Sequence, residues 1–321
     1  MGQSGESKLL NLSAIMEPLA PMIALLLVVI PIALKNPRAV NSYRSLNILL
    51  IMATPIIFAT MAQMMAMSIG EIDFSLGNLI SLVTCIVGTV IPQNFPLGML
   101  LLAGIIAIYV VIGAFLHLKK LPSIIVTIGM SFVWLGIAVI IQPRPGGTVP
   151  AGLAALMQYK PPFIPFPIVI AVVTGLAGYA LMSKTYFGIL CRGVGGNVKS
   201  IEQAGHSVLK VRILVFASVG FLAILSGAAL SGITTSADSL VAKNYTLLAV
   251  SGVILGGGSF SGGKVSAPGA VMGALTMHLV NYLLMSYKLP TDWQAGAQGA
   301  TILLVLFLVS MFQRSQKIYY V

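Results

Sequence analysis

The sequence predicts an all-α, polytopic membrane protein. Hydrophobic residues make up 58% of the 321-residue chain and charged residues only 8%, whereas soluble domains carry about 25% charged residues. The apolar residues occur in long runs, and about 20 such residues span a bilayer as a helix. The formal net charge of +11 does not indicate nucleic-acid binding, because the basic residues stand singly between apolar runs and form no stripe.

Ten membrane-spanning helices are expected, each an apolar run bounded by polar residues. They cover approximately residues 15–34, 48–69, 74–91, 97–118, 121–141, 163–182, 212–233, 246–257, 266–286 and 294–312. In the first, Glu17 precedes a long apolar run at 19–34 and no clean cleavage site follows, so it is expected to anchor the chain rather than to be a cleaved signal. Residues 1–321 then form a single transmembrane domain.

The basic residues favour an orientation with both termini in the cytoplasm. Eleven Lys and Arg residues then lie inside and seven outside, which is the asymmetry expected of short membrane-protein loops. The 35–45 loop is an exception, since it places three basic residues outside. Residues 142–165 would form an external loop; their six prolines predict a rigid platform with a short helix near 152–158.

The other long connection, residues 183–212, would be a cytoplasmic coupling loop. Within it, residues 197–204 are expected to form a short helix, with Asn197 as its N-cap and Gly205 as its stop. A capped cytoplasmic helix between two spans is suited to docking onto a soluble partner. A merely solvated loop is the alternative.

Asp73 follows Glu71 in the short gap between the second and third spans. It precedes the first residues of the third span, so it would cap that helix. Alternatively, it belongs to a polar patch where a helix is broken and unwound backbone lines a cavity. Both alternatives remain open at this point.

Polar residues inside spans are candidates for a solute path, because their burial in a membrane costs free energy. Gln63 and Trp134 would offer an amide and an aromatic platform of the kind that holds a sugar, and Asn78 is a further candidate. His278 and Asn281 fall on one face of the ninth span. They would either face a water-filled path or form hydrogen bonds between helices.

The glycine-rich stretch 250–273 contains a near match to a phosphate-binding loop. Gly258 to Lys264 fits the spacing, but Val265 replaces the Ser or Thr that would hold Mg²⁺. Because membrane spans flank the stretch, a glycine break between two helices is the preferred interpretation. No H-E-x-x-H or G-x-S-x-G motif occurs, and neither Cys85 nor Cys191 has metal-ligand spacing. A Ser/His/acid or two-carboxylate site assembled by the fold stays open.

Three stretches resemble the membrane permease subunits of bacterial ribose-type ATP-binding-cassette importers. They are IDFSLG at 72–77, GGNVKSIEQAG at 195–205, and LLAVSGVILGGGSFSGGKVSAPGAVMGAL at 247–275. Their order matches the family, and the likeness extends over nearly the whole chain.

The resemblance implies a non-catalytic permease of about ten helices in the bacterial cytoplasmic (inner) membrane. It also implies a second permease copy or paralogue and an extracytoplasmic sugar-binding protein that meets residues 142–165. A cytoplasmic ATPase would carry ATP and Mg²⁺, and this chain would bind no cofactor. The residues implied in ATPase coupling are Gly195, Gly196, Asn197, Glu202, Gly205 and His206.

The sequence departs from the family pattern at two places. Thr246-Leu247-Leu248 stands where an acidic E-L-D is common, and His206 replaces an aliphatic residue. The solute therefore stays open among ribose, another sugar and a sugar-like signal such as autoinducer-2. The alternative function is a secondary transporter driven by an ion gradient, with Asp73 or His278 as its proton or cation site.

Overall fold

A computed structural model describes residues 3–287, with side chains from Leu19 onward, together with positions 293, 296, 299 and 300. Within these residues the chain is helical, and an isolated antiparallel bridge joins Gly146 to Ala237. The helices are α1 (Gln3–Lys35), α2 (Pro37–Val40), α3 (Tyr43–Leu50), α4 (Ala53–Ser68), α5 (Leu76–Cys85), a π-helical segment (Ile86–Val90), α6 (Ile91–Gln93), α7 (Phe95–Lys119), α8 (Ser123–Ile141), α9 (Ala151–Met157), α10 (Phe166–Lys184), α11 (Tyr186–Gly196), α12 (Val198–Gln203), α13 (Val208–Thr234), α14 (Tyr245–Leu255) and α15 (Ala267–Ser286).

The all-α, polytopic class is confirmed. Among the described residues, six helical stretches are long and apolar enough to cross a membrane, and the bent pair α3–α4 would make a seventh. Helices lie at nine of the ten predicted spans, although α14 has only 11 residues. The tenth predicted span, 294–312, lies outside the described residues, so the total of ten stays a prediction.

Helix α4 is the centre of the bundle. Every side chain from Ala53 to Ser68 is buried except the partly buried Phe58, as expected for a helix that is apolar on all sides. It packs against α13, α14 and α15. Of the residues that follow α4, Ile69 and Asp73 are buried, whereas Gly70 between them is exposed.

Side-chain caps set the start of six helices. Each cap accepts a hydrogen bond from the backbone N–H three residues later, as N-cap residues do. The six caps are Ser42, Asn94, Thr185, Asn197, Ser207 and Ser266. The predicted Asn197 cap is thus confirmed, and Gly205 follows α12 with a φ of +80°.

The connections between helices gather at two ends of the bundle. At the first, which we call the glycine end, the segments 68–75, 184–212 and 256–266 meet, and the Gly263 N–H donates to the Ser68 carbonyl at 3.1 Å. At the other, the bridge end, the loop before α9 pairs with Ala237 and also bonds Gly88 in the π-helical segment. The predicted platform helix is confirmed as α9, which packs on α13.

Candidate functional site

The chain leaves helical geometry between α4 and α5, within the IDFSLG motif. Buried backbone groups away from water need partners in the protein, and here side chains supply them. The N–H groups of four consecutive residues, Ile72 to Ser75, bond in order to Ser123, Gln63, Thr127 and the Asp73 carboxylate. We call residues 69–75 the Asp73 break.

Gln63 reaches this break from α4 and is fully buried. With its amide oriented so that each atom meets a complementary group, its nitrogen donates to the Asp73 carbonyl and its oxygen accepts from the Asp73 N–H, both at 3.2 Å. The amide therefore replaces the two main-chain bonds that a continuous helix would have made.

Three hydroxyl residues on one face of α8 form a ladder beside the break. Ser123 and Thr127 accept from the Ile72 and Phe74 N–H groups at 3.2 and 3.0 Å. One turn further, Ser131 accepts from the Asn78 amide at 2.8 Å. This ladder was not predicted from the sequence, although its spacing of four residues places the hydroxyls on a single helical face.

The Asp73 carboxylate is completely buried and accepts three hydrogen bonds. Oδ1 accepts from the Ser75 N–H and hydroxyl at 2.7 and 2.6 Å, and Oδ2 accepts from the Tyr109 hydroxyl at 2.7 Å. Burial raises the pKa of this carboxyl above its ordinary value, while the bonds from Ser75 and Tyr109 oppose the rise.

The prediction that Asp73 caps the third span is wrong. The helix begins at Leu76 with Ser75 as its boundary residue, and no side chain there bonds a helical N–H. Asp73 instead closes a turn on the N–H two residues later, which lies outside the helix. The break in the helix is observed and its polar groups bond protein atoms; that the break lines a cavity stays a prediction.

Trp134, the expected aromatic platform, is only 2% exposed. Its ring stacks on Tyr109 with centroids 6.4 Å apart and an interplanar angle of 9°. Its Nε1 meets no hydrogen-bond acceptor among the described residues. In this conformation Trp134 helps to support the Asp73 break, and contact with a solute stays a prediction.

His278 and Asn281 lie away from the break. His278 Nε2 is 2.8 Å from the Leu49 carbonyl at the bend between α3 and α4, so the helix-to-helix hydrogen bond is the alternative observed for His278. Asn281 is half-buried one turn later. The next residue, Tyr282, lines an open surface cavity of about 440 Å³ with Lys35.

An ion pair ties the break to α13. Arg212 Nη1 lies 2.9 Å from Glu71 Oε1, and the two side chains are 17% and 13% exposed. Arg212 is in the first turns of α13 and closes the segment 183–212 that was expected to couple to an ATPase. The break and this segment are therefore in direct contact.

The residues implied in ATPase coupling divide into two groups. Gly196, Asn197, Glu202 and Gly205 are exposed at the glycine end. His206 is half-buried, and its Nδ1 lies 2.9 Å from the Tyr186 hydroxyl. Gly195 instead faces inward, where an added Cβ would collide with the Ser68 carbonyl and the Gly263 N–H. Only the exposed group is available to a partner in this conformation.

The middle of the glycine-rich stretch, residues 256–266, is a loop between α14 and α15. Helix α14 precedes it, whereas a phosphate loop follows a strand, so that interpretation is wrong and the glycine break is confirmed. Ser266 caps α15, and Pro268 lies in its first turn. Thr246, where the family pattern is acidic, accepts from the Gly77 N–H at 2.9 Å. This bond joins the last residue of the first motif to the residue just before the third, and Gly262 of the third motif lies against Gly70, two residues before the first.

Comparison with known proteins identifies the chain's relatives. The family model described as branched-chain amino acid transport system / permease component matches residues 40–306. The ribose import permease protein of Bacillus subtilis is 27% identical over 94% of this chain and 96% of its own length. The L-arabinose ABC transporter permease protein of Azospirillum brasilense is 26% identical over 98% of this chain and 92% of its own.

A third relative matches a shorter part of the chain at a higher sequence identity. The xylose transport system permease protein of Haemophilus influenzae shares 31% identity over 45% of this chain and 39% of its own length. No solved structure matches the chain significantly.

Proposed function

The chain belongs to the family of branched-chain amino acid transport system permease components, and we propose that it is the membrane permease subunit of an ATP-binding-cassette importer for a monosaccharide. The observation that carries the proposal is near-full-length similarity to ribose and arabinose permeases. It agrees with the contact, at the glycine end, of the second and third motifs with each other and with residues 68–70, just before the first motif. The sugar relatives, rather than the family's general description, indicate the solute class.

The two ends of the bundle support a division of partners. A cytoplasmic ATPase, which binds ATP and Mg²⁺ itself, docks on exposed positions within 196–206 at the glycine end. An extracytoplasmic sugar-binding protein docks on residues 142–165 at the bridge end. The glycine end then faces the cytoplasm, as do both termini, and residues 294–312 complete ten spans in a single domain of the bacterial inner membrane.

A second permease copy or paralogue completes the transporter, with membrane lipid around the remaining apolar surface. Gln63, Asp73 and Trp134 are enclosed in this conformation and Asn78 is partly buried. We assign these four to the solute path in a state in which the break has rearranged. His278 is assigned to helix packing, because its ring already bonds the Leu49 carbonyl, and Asn281 on the same face is assigned with it.

The ion-gradient alternative needs an acid or a histidine that can exchange a proton or cation with water. Asp73 is fully buried with three protein donors, and His278 is bonded to a neighbouring helix. These bonds favour the ATP-driven mechanism over the gradient-driven one.

Transport by inverted membrane vesicles cannot report import directly, so right-side-out proteoliposomes are the appropriate test. The chain is reconstituted with its ATPase and binding protein, with ATP enclosed, and radiolabelled ribose, xylose and arabinose are offered separately. We expect accumulation of at least one sugar, abolished by orthovanadate and resistant to a protonophore. Accumulation by the chain alone that follows a proton gradient would contradict the proposal.

A further inference from the structure

Both ends of the segment that would meet the ATPase contact the same short stretch of chain. Before α12, Gly195 lies against the Ser68 carbonyl at the end of α4. After α12, Arg212 pairs with Glu71. Because these contacts bracket α12, a shift of that helix relative to α4 displaces residues 68–71.

The first of these contacts consists of backbone alone. A Cβ at Gly262 would lie 2.6 Å from the Gly70 nitrogen and 2.9 Å from the Gly195 Cα, closer than a side chain tolerates. The Gly263 N–H donates to the Ser68 carbonyl at 3.1 Å. With no side chains between them, the three segments have nothing that can change rotamer and absorb a displacement.

Helix α12 is also firmly joined to α11. The Ile201 side chain packs onto Gly193, where an added Cβ would lie 2.5 Å from the Ile201 Cδ1. Asn197 ends α11 and caps α12, accepting from the Ser200 N–H at 3.2 Å. We therefore expect α12 to move together with Gly195 and Gly196 at the end of α11.

The path from this contact to Asp73 is short. Four residues separate Ser68 from Asp73; the last of them, Ile72, is bonded to α8 through Ser123, and Asp73 itself is bonded to α4 through Gln63. Displacement of Ser68 or Gly70 must stretch or rearrange these hydrogen bonds. Motion at the cytoplasmic surface thus has a continuous route to the enclosed carboxylate.

We propose that Gly70, Gly195 and Gly262 form a joint that passes the motion of α12 to the Asp73 break. They are positioning residues, since none of them would touch nucleotide or solute. The inference rests on the proposed function, because it needs an ATPase that docks on residues 196–206.

Hydrogen–deuterium exchange of the assembled complex tests the joint without knowledge of the solute. Trapping the ATPase with ADP and orthovanadate is expected to change deuterium uptake in peptides covering 196–206 and 66–75. In Gly195→Ala the change at 196–206 is retained and the change at 66–75 is lost. Gly136→Ala in α8 is the matched control, because an added Cβ there meets nothing within 4 Å and the residue lies outside the docking segment, so it should behave as wild type.

Each outcome separates the two proposals. If no ATPase copurifies with the wild-type chain, the proposed function fails. If the complex forms but 66–75 does not respond, or responds equally in Gly195→Ala, the joint is overturned. Loss of ATPase binding in Gly195→Ala with a normal size-exclusion profile would also overturn it, since Gly195 would then belong to the docking surface.

A milder pair of variants covers the case in which Gly195→Ala does not fold. Gly70→Asn tolerates the φ of +78° and brings its Cβ to 3.3 Å from the Ser261 carbonyl. Gly257→Asn has a similar φ of +83° with open space around it, so it controls for backbone strain. Loss of the 66–75 response only in Gly70→Asn supports the joint, and an intact response in both overturns it.

Discussion

The Tyr109 hydroxyl donates a hydrogen bond to Asp73 Oδ2 at 2.7 Å. Tyr109 lies in the middle of α7, and its ring stacks on Trp134 of α8. One side chain thereby connects two helices to the break between α4 and α5. Because the carboxylate it serves is fully buried, this bond is a suitable place to begin testing the site.

Tyr109→Phe removes the donor and keeps the ring. A hydrogen bond to a charged group contributes about 1.5–3 kcal/mol, so we expect a loss of that order in the free energy of unfolding, measured by denaturation in mild detergent. Tyr179→Phe, at an exposed position of α10, is the control and should change little. Equal losses in both variants would show that the bond contributes no special stability.

Gln63→Glu should make the stability of the chain depend on pH. An ionised carboxylate cannot donate to the Asp73 carbonyl, and its burial without a partner is costly. A protonated carboxyl restores a donor. The thermal midpoint of the variant should therefore approach that of the wild type as pH falls from about 8 to about 5, across the range where a buried carboxyl takes up a proton.

The matched control for this pH dependence is Gln158→Glu, since Gln158 is exposed after α9. Its midpoint should follow the wild type at every pH. A constant difference between Gln63→Glu and the wild type would mean that the amide does not bond the Asp73 backbone as described.

The Glu71–Arg212 pair should show coupling in a double-mutant cycle. Removal of one partner leaves a largely buried charge, and we expect each of Glu71→Gln and Arg212→Gln to destabilise the chain by about 1–3 kcal/mol. The double variant should lose less than the sum of the two. Additive losses in the free energy of unfolding would indicate that the two residues act independently.

Thr127→Val tests the hydroxyl ladder with almost no change in volume. It leaves the partly buried Phe74 N–H without its acceptor, at a cost of about 1–3 kcal/mol. Thr276→Val is the control, because the Thr276 hydroxyl bonds only the Met272 carbonyl of its own helix. The Thr127 variant should unfold at a clearly lower temperature, and the reverse order would contradict the role of the ladder.

Local patterns in the sequence predicted the elements that local interactions control. Apolar runs located the helices, Asn197 and Gly205 bounded α12, and Pro268 marked the start of α15. The break at IDFSLG was also located correctly. Each of these features depends on residues within one or two turns of each other, so a single sequence contains the necessary information.

The contacts that define the site join distant parts of the chain. Tyr109 is 36 residues from Asp73, and Thr127 is 53 residues from Phe74. Asp73 lies at the right distance before the third span to cap it, but its carboxylate instead accepts a hydrogen bond from Tyr109 on α7. The inward orientation of Gly195 likewise depends on where α4 and the α14–α15 loop pack, which no local pattern contains.

The backbone contact around Gly195 separates two tasks of this segment: recognising the ATPase and passing its motion to the Asp73 break. Main-chain atoms are the same in every sequence, so this contact places no demand on the exposed side chains of α12, such as Lys199 and Glu202. Those side chains can diverge to suit a different ATPase while the geometry behind them is preserved. Under the proposed function, exchanging residues 197–206 between related permeases would change which ATPase binds and leave the transport cycle intact.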